Sequence, residues 1–313
     1  MGIQVIKPGL CTTIHDQGRY GYQHLGIPVS GPMDEVSHTL ANLLVGNPRD
    51  YSTLEVTLLG PELLFQSRAL IAIAGADLCA TLDGKAIKPG IAIRVEAGSI
   101  LRFGQRISGA RAYIALHGGY LISPVLGSCS TYSHGHFGGI AGRPLKAGDY
   151  IATPSSFKNV LPRLSPPESL MVDRFSSAPI RVIPGREWRY FSEEAQTSLV
   201  ETSYHISSES ARMGYRLTGE ALSLREPLEL LSEAVTFGTI QVPPSGQPIL
   251  LMADHQTTGG YPKIAHVISV DLPLLAQRLP GEVIHFELCD LPQAQRLRLA
   301  RARLLDSLED YYI

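Results

Sequence analysis

The sequence predicts a mainly β protein: two related domains of barrel or sandwich type, few short helices, and one helix at the carboxyl end. Short Val, Ile, Leu and Phe runs are separated by turns, with 30 glycines and 22 prolines among 313 residues, the punctuation of many short strands. A chain of this length accommodates roughly two domains of about 150 residues each. The two halves also repeat one another.

The repeat runs in order along the chain. Ile3-Gln4-Val5-Ile6-Lys7-Pro8-Gly9 returns as Ile180-Arg181-Val182-Ile183-Pro184-Gly185. Arg19-Tyr20-Gly21-Tyr22 returns as Arg212-Met213-Gly214-Tyr215, and Glu55 with Gly60 as Glu233 with Gly238. Ile71-Ala72-Ile73 matches Ile249-Leu250-Leu251, and Gly98 to Phe103 matches Gly281 to Phe286. A near-constant offset across these matches indicates a duplicated domain, with copies over residues 1–165 and 178–313.

Other elements depart from the repeat. Asp34 caps a short helix through Leu40, Leu43 and Leu44 that stops at Gly46-Asn47. A glycine-rich extension spans residues 111–149, and Pro162, Pro166, Pro167 and Pro179 bracket a linker. From Asp290 to about Leu308, Leu291, Ala294, Leu297, Leu304, Leu305 and Leu308 recur among Arg296, Arg298, Arg301 and Arg303, the pattern of an amphipathic helix.

Composition narrows the function. A formal net charge of −2 argues against nucleic acid or a membrane surface held by bulk electrostatics. The amino terminus lacks a signal-peptide core and no apolar run would span a bilayer, so a cytoplasmic location is expected. Cys11, Cys79, Cys129 and Cys289 lie far apart and read as buried thiols, without zinc or disulfide spacing. His134-Gly135-His136 lacks a third ligand at a suggestive spacing, so no metal is expected. No phosphate loop, GxSxG elbow or GxGxxG fingerprint occurs, and no Ala-Met-Lys-Met segment, so no covalently bound biotin is expected.

The segment from Met252 to Ala265 is the main candidate site. Asp254, His255, Gln256, Thr257, Thr258, Gly259, Gly260, Tyr261 and Lys263 lie between apolar strands, where a connecting turn has no need of so many donors and acceptors. In the first copy the corresponding stretch is an apolar strand ending in an Asp83-Gly84 hairpin turn. Arg19 and Arg212 read either as anion ligands, through bidentate guanidinium donors, or as internal partners of Glu55 and Glu233. Asp16 and Asp34 flank Arg19, with Asp34 equally explained as a cap. Arg216, Ser245 and Gln247 are further candidates for the pocket of Gln256. The segment from Gly127-Ser128-Cys129-Ser130-Thr131 to Arg143 reads as a lid or anion cradle, or as a solvated glycine loop.

Several of these motifs together resemble one family. They are Thr13 to Arg19, Gly26-Ile27-Pro28 with Gly31-Pro32-Met33-Asp34, Ala41 to Asn47, Gly127 to Thr131, Met213 to Leu217, and Gln256 to Ala265. In order, over about residues 3–290, they are similar to the family of the 5-oxoprolinase C subunit, also called KipA, allophanate hydrolase subunit 2 or the biotin-dependent carboxyltransferase family. The resemblance implies two tandem cyclophilin-like β-barrels. It implies a hydrolase complex whose further 5-oxoprolinase subunits are a KipI-like B and a separate A, using ATP as co-substrate to convert 5-oxoproline to glutamate. On that reading Arg19, Arg212 and Lys263 hold a substrate carboxylate or phosphate, and Gln256, Thr257 and Thr258 bond the lactam or phosphoryl oxygens. Asp254 is a base or orienting group, and Gly259, Gly260 and Tyr261 complete the substrate contact. The same resemblance carries two alternatives. One is carboxyl transfer from carboxybiotin to urea or a related amide, and the absence of a biotin-bearing segment favours 5-oxoprolinase over it. The other is a regulatory protein that binds a KipI-like partner. The chain departs from the family at His15, usually Gln, at His255, often Arg, and at His134, commonly basic.

Overall fold

The computed structural model describes residues 1–154 and 178–312. The linker prolines Pro162, Pro166 and Pro167 lie outside them. The described residues are mainly β, with a closed barrel and a carboxyl-terminal helix, as the sequence predicts. They group into two compact units, one of residues 1–19, 30–154 and 305–312, the other of residues 20–29 and 178–304.

In the first unit a six-stranded sheet runs Tyr150–Ala152, Gly2–Lys7, Glu62–Phe65, Ile100–Arg102, Thr81–Leu82, Lys85–Ala86. A five-stranded sheet runs Cys11–His15, Thr53–Thr57, Ser108–Leu116, Ala69–Asp77, Ala92–Val95. Both sheets contribute to one core, Ile3, Val5, Leu63 and Phe65 from the first and Ile14, Val56, Ile71 and Ile114 from the second. Each such side chain, once buried, contributes about 1.5–3 kcal/mol. Thr81 pairs with Ala86 and Leu82 with Lys85, and Asp83 and Gly84 between them both have positive φ (50° and 79°). This is the two-residue hairpin that Asp-Gly predicts.

Strand Ala69–Asp77 is buried on both faces because a helix covers its outer side. Ile71 and Ile73 face the shared core; Leu70, Ala72 and Ala74 meet Val36, Leu40, Leu43 and Leu44 of helix Glu35–Leu44. Alternation with period two turns Ile71 and Ile73 to one face and Ala72 and Ala74, whose small side chains admit the helix, to the other. Asp34 caps this helix by accepting from the Ser37 N–H at 2.9 Å. The Gly46 N–H to Leu43 and the Asn47 N–H to Asn42 satisfy its last carbonyls. Its polar side is also buried: His38 bonds the Thr53 hydroxyl at 2.9 Å and the Arg49 carbonyl at 3.0 Å, and Asn42 donates to the Tyr51 carbonyl. Leu308 joins the same apolar cluster, and Asp306 and Glu309 pair with Arg49.

The second unit closes as a seven-stranded barrel in the order Ile180–Pro184, Lys263–Val267, Thr239–Gln241, Ile249–Leu251, Gly214–Thr218, Ser203–Ile206, Val283–Leu288. The seam between Ile180–Pro184 and Val283–Leu288 is parallel. Ile180 and Val182, Tyr204 and Ile206, Tyr215 and Leu217, and Ile284 and Phe286 are buried while their neighbours are not. That period of two is what a barrel with one apolar face requires. Helix Leu291–Tyr312 begins by packing Ala294 and Leu297 on Ile268, Val270 and Cys289, two residues of the stripe read from sequence, whereas Leu291 is exposed. Among the described residues no helix is long and apolar enough to cross a membrane. One cysteine, Cys289, is buried; Cys11, Cys79 and Cys129 are half-buried free thiols, correcting the expectation of four buried ones.

Burial pushes the His38 imidazole down to about 4, against the Arg49 carbonyl and nearby carboxylates. Its folded value lies below its unfolded one, so the unfolded chain takes up a proton first as pH falls. Stability should therefore drop between about pH 6.5 and 4, with a slope approaching 1.4 kcal/mol per pH unit. Urea unfolding across this range should show that slope, and His38→Gln should flatten it.

Candidate functional site

The segment from Asp254 to Lys263 is held at both ends by buried ion pairs. It leaves strand Ile249–Leu251 and rejoins the barrel at strand Lys263–Val267. At its start the Asp254 N–H donates to the Arg212 carbonyl at 2.9 Å. The Arg212 guanidinium answers with Nε to Oδ2 at 2.9 Å and Nη2 to Oδ1 at 3.0 Å. This two-point clamp is the strongest geometry available to an Arg–carboxylate pair. It engages both oxygens of Asp254.

At the far end Lys263 is 4% exposed, with its Nζ 3.5 Å from Glu187 and 3.7 Å from Glu233. Glu187 follows the turn after strand Ile180–Pro184, where the Gly185 N–H bonds the Ile264 carbonyl, and it also accepts the Lys263 backbone N–H at 3.0 Å. Glu233 arrives on a two-residue ribbon, Glu233 opposite Gly259 and Ala234 opposite Thr258, with its carboxylate held by Arg186 at 2.8 and 2.9 Å. Each cation of this cluster faces a carboxylate, which is the condition for burying it.

Between the anchors lie the polar residues singled out in the sequence. Gln256, Thr258 and Tyr261 are exposed, and Thr257, Gly259 and Gly260 half-buried. His255 is buried and its Nδ1 meets the Gln256 carbonyl at 2.6 Å. Burial lowers its basicity despite that carbonyl and Asp254, so His255 is neutral near pH 7 and does not replace the charge of an arginine. Gln241, in strand Thr239–Gln241, lies beneath the segment: 1% exposed, it accepts from Gln256 Nε2 at 3.2 Å and donates to the Tyr261 carbonyl at 3.5 Å. Gly259 lies so close that a Cβ there would stand 2.4 Å from Gln241 Nε2. Glu187 and Gln241 were missed by sequence reasoning. The one available signal for Gln241 was an amide inside the apolar run Thr239-Ile240-Gln241-Val242.

The other candidates fall elsewhere. Arg19 belongs to the first unit, is 1% exposed, and donates to the carbonyls of Val125 at 3.1 Å, Ser128 at 3.3 Å and Ser130 at 2.8 Å, with Phe137 beneath its guanidinium at 4.8 Å. These contacts serve the glycine-rich segment, whereas the resemblance placed Arg19 at the substrate. Asp16 acts on the same segment. It accepts from the hydroxyls of Ser128 at 2.5 Å and Ser130 at 2.7 Å, and from the N–H groups of Cys129 and Gly18. Burial raises its pKa, but these hydrogen bonds outweigh it and leave the carboxyl below its usual range. The anion in the expected cradle is thus the chain's own carboxylate. Glu55 accepts from Tyr113 at 2.7 Å and the Met33 N–H at 2.9 Å, and Arg111 Nε lies 3.9 Å from it. Glu233 pairs with Arg186 and Lys263 in place of Arg212. Arg216 pairs with Glu209, and Ser245 and Gln247 brace a turn at Gly219 without reaching Gln256. His134 and His136 are exposed, and no cluster of three or more His, Cys, Asp or Glu able to hold a metal occurs among the described residues.

Residues 25–288 match the family model described as carboxyltransferase domain, subdomain A and B. The chain is 39% identical over 302 residues to the 5-oxoprolinase C subunit of Haemophilus influenzae, covering 95% of this chain and 94% of the relative. It is 38% identical over 306 residues to the 5-oxoprolinase C subunit of Escherichia coli, covering 98% and 97%. The crystal structure of the K. lactis urea amidolyase is similar with a TM-score of 0.91 at 30% identity, covering 98% of this chain and 20% of that one.

Removing the Asp254 charge takes this carboxylate from the half-buried Arg212 guanidinium. Asp254→Asn should lose about 3 kcal/mol of stability in urea unfolding. A double variant with Arg212→Met should recover part of the loss, giving a non-additive cycle.

Proposed function

The chain belongs to the carboxyltransferase domain, subdomain A and B, family, and from that membership we propose that it is one component of an ATP-dependent 5-oxoprolinase. In this reading it hydrolyses 5-oxoproline (pyroglutamate) to glutamate together with the A and B subunits. The observation that carries it is the higher identity to the two C subunits, which extends over nearly all of both chains.

A lactam resists hydrolysis because its nitrogen lone pair is delocalised into the carbonyl. Transfer of the ATP γ-phosphoryl to the carbonyl oxygen, releasing ADP, makes that oxygen a leaving group. Water then adds to the carbon, the ring C–N bond opens as the nitrogen takes a proton, and a second water hydrolyses the resulting acyl phosphate to glutamate and phosphate. The contribution of this chain is positioning. Gln256, Thr257 and Thr258 meet the lactam, with Gly259, Gly260 and Tyr261 completing the contact surface. Asp254 with Arg212, and Lys263 with Glu187 and Glu233, hold that surface in place. The ion-paired state of Arg212 and Lys263 makes them supports of the segment in preference to primary ligands of an anion.

A second reading, carboxyl transfer to urea or a related amide, is supported by the likeness to the urea amidolyase structure. It uses the same segment, since both substrates are small amides.

The experiment is release of glutamate and ADP from 5-oxoproline and ATP, with this chain and the A and B subunits together and each omitted in turn. The expected outcome is glutamate only with all three. A well-formed complex with no turnover, but transfer to urea from a carboxybiotin donor, would replace this reading by the second.

A further inference from the structure

Gln256 is the exposed amide best placed to meet a substrate, and its orientation is set from below. The Tyr261 carbonyl can only accept a hydrogen bond. Gln241, which donates to it through Nε2 at 3.5 Å, must therefore turn its Oε1 the other way, toward Gln256. Gln256 must then present Nε2 to Gln241, as it does at 3.2 Å. The direction of each bond follows from the one before it, starting at a fixed backbone carbonyl.

Three further features keep the relay in place. Gln241 is 1% exposed on a barrel strand, so its amide is held in one place. The missing side chain of Gly259 makes room for it. The Gln256 backbone is held through its carbonyl by His255 Nδ1 at 2.6 Å. With one N–H engaged below, Gln256 offers Oε1 and its second N–H to an outside partner.

We propose that Gln241 is a positioning residue that makes Gln256 read an amide edge, an N–H beside a C=O, as in a five-membered lactam. Oε1 of Gln256 accepts the substrate N–H, and its remaining N–H donates to the substrate carbonyl. The assignment rests on the oxoprolinase reading and deepens it by naming the substrate feature recognised. It excludes isosteres without the N–H, because they place an oxygen lone pair against Gln256 Oε1.

The test uses the assembled complex with two variants, Gln241→Leu and Gln256→Met. KM and kcat for 5-oxoproline are measured, together with inhibition by the lactone analogue in which ring oxygen replaces N–H. Wild type should favour the lactam over the lactone by at least about tenfold, the scale set by one polar group left unmet beneath the bound ligand. Both variants should raise KM with kcat changed much less, and should bring the lactam-to-lactone ratio toward one. Gln256 is exposed, so Gln256→Met keeps the comparison valid even if Gln241→Leu fails to fold. Wild-type turnover with an unchanged ratio in the folded variants overturns the assignment and leaves the oxoprolinase reading intact. No wild-type turnover overturns that reading and the assignment with it.

Discussion

A charge or amide taken into a β core must find its partner there, because water is excluded and an unmet polar group costs several kcal/mol. This constraint organises both units. In the first, Asp16 gathers two hydroxyls and two backbone N–H groups, Arg19 gathers three carbonyls, and Glu55 takes Tyr113 and Met33. In the second, Asp254 takes Arg212 and Lys263 takes Glu187 and Glu233. The apolar strands form the cores, and these pairings decide how the long connections lie across them.

The duplicated arginines show how the same rule yields different outcomes. Arg19 precedes residues 20–29, which group with the other unit, and its guanidinium is taken up by a glycine-rich segment unique to the first copy. Arg212 leads directly into strand Gly214–Thr218 and stands beside the end of strand Ile249–Leu251, where Asp254 is within reach. One arginine became a brace for a loop and the other an anchor for the polar segment. With anchors at both ends, that segment can carry hydroxyls and an amide in defined positions, which is what binding a small polar molecule requires.

Much of the architecture was legible from residues in order. Ile3 to Lys7 and Ile180 to Pro184 are corresponding strands, Asp34 caps its helix, Asp83-Gly84 turns its hairpin, and Ala294, Leu297 and Leu308 mark a helix stripe. These are local signals, set by period and turn chemistry. The cluster around Gln256 was also legible, since its composition is unlike that of a plain turn. Its partners were not: Glu187 lies far from it in sequence and Gln241 on a neighbouring barrel strand, and both meet it only in the folded barrel.

The sequence by itself determined a duplicated, mainly β chain, the place of its helices, and the segment that differs between the copies, because hydrophobic period, capping and repeat are written in neighbouring residues. Tertiary structure alone decided which charges pair, that Arg19 serves a loop, that Asp16 fills its own cradle, and which way the Gln256 amide faces. Those outcomes depend on groups brought within about 3 Å by pairing of distant strands, and a one-residue change of register would turn the same side chains to the opposite face.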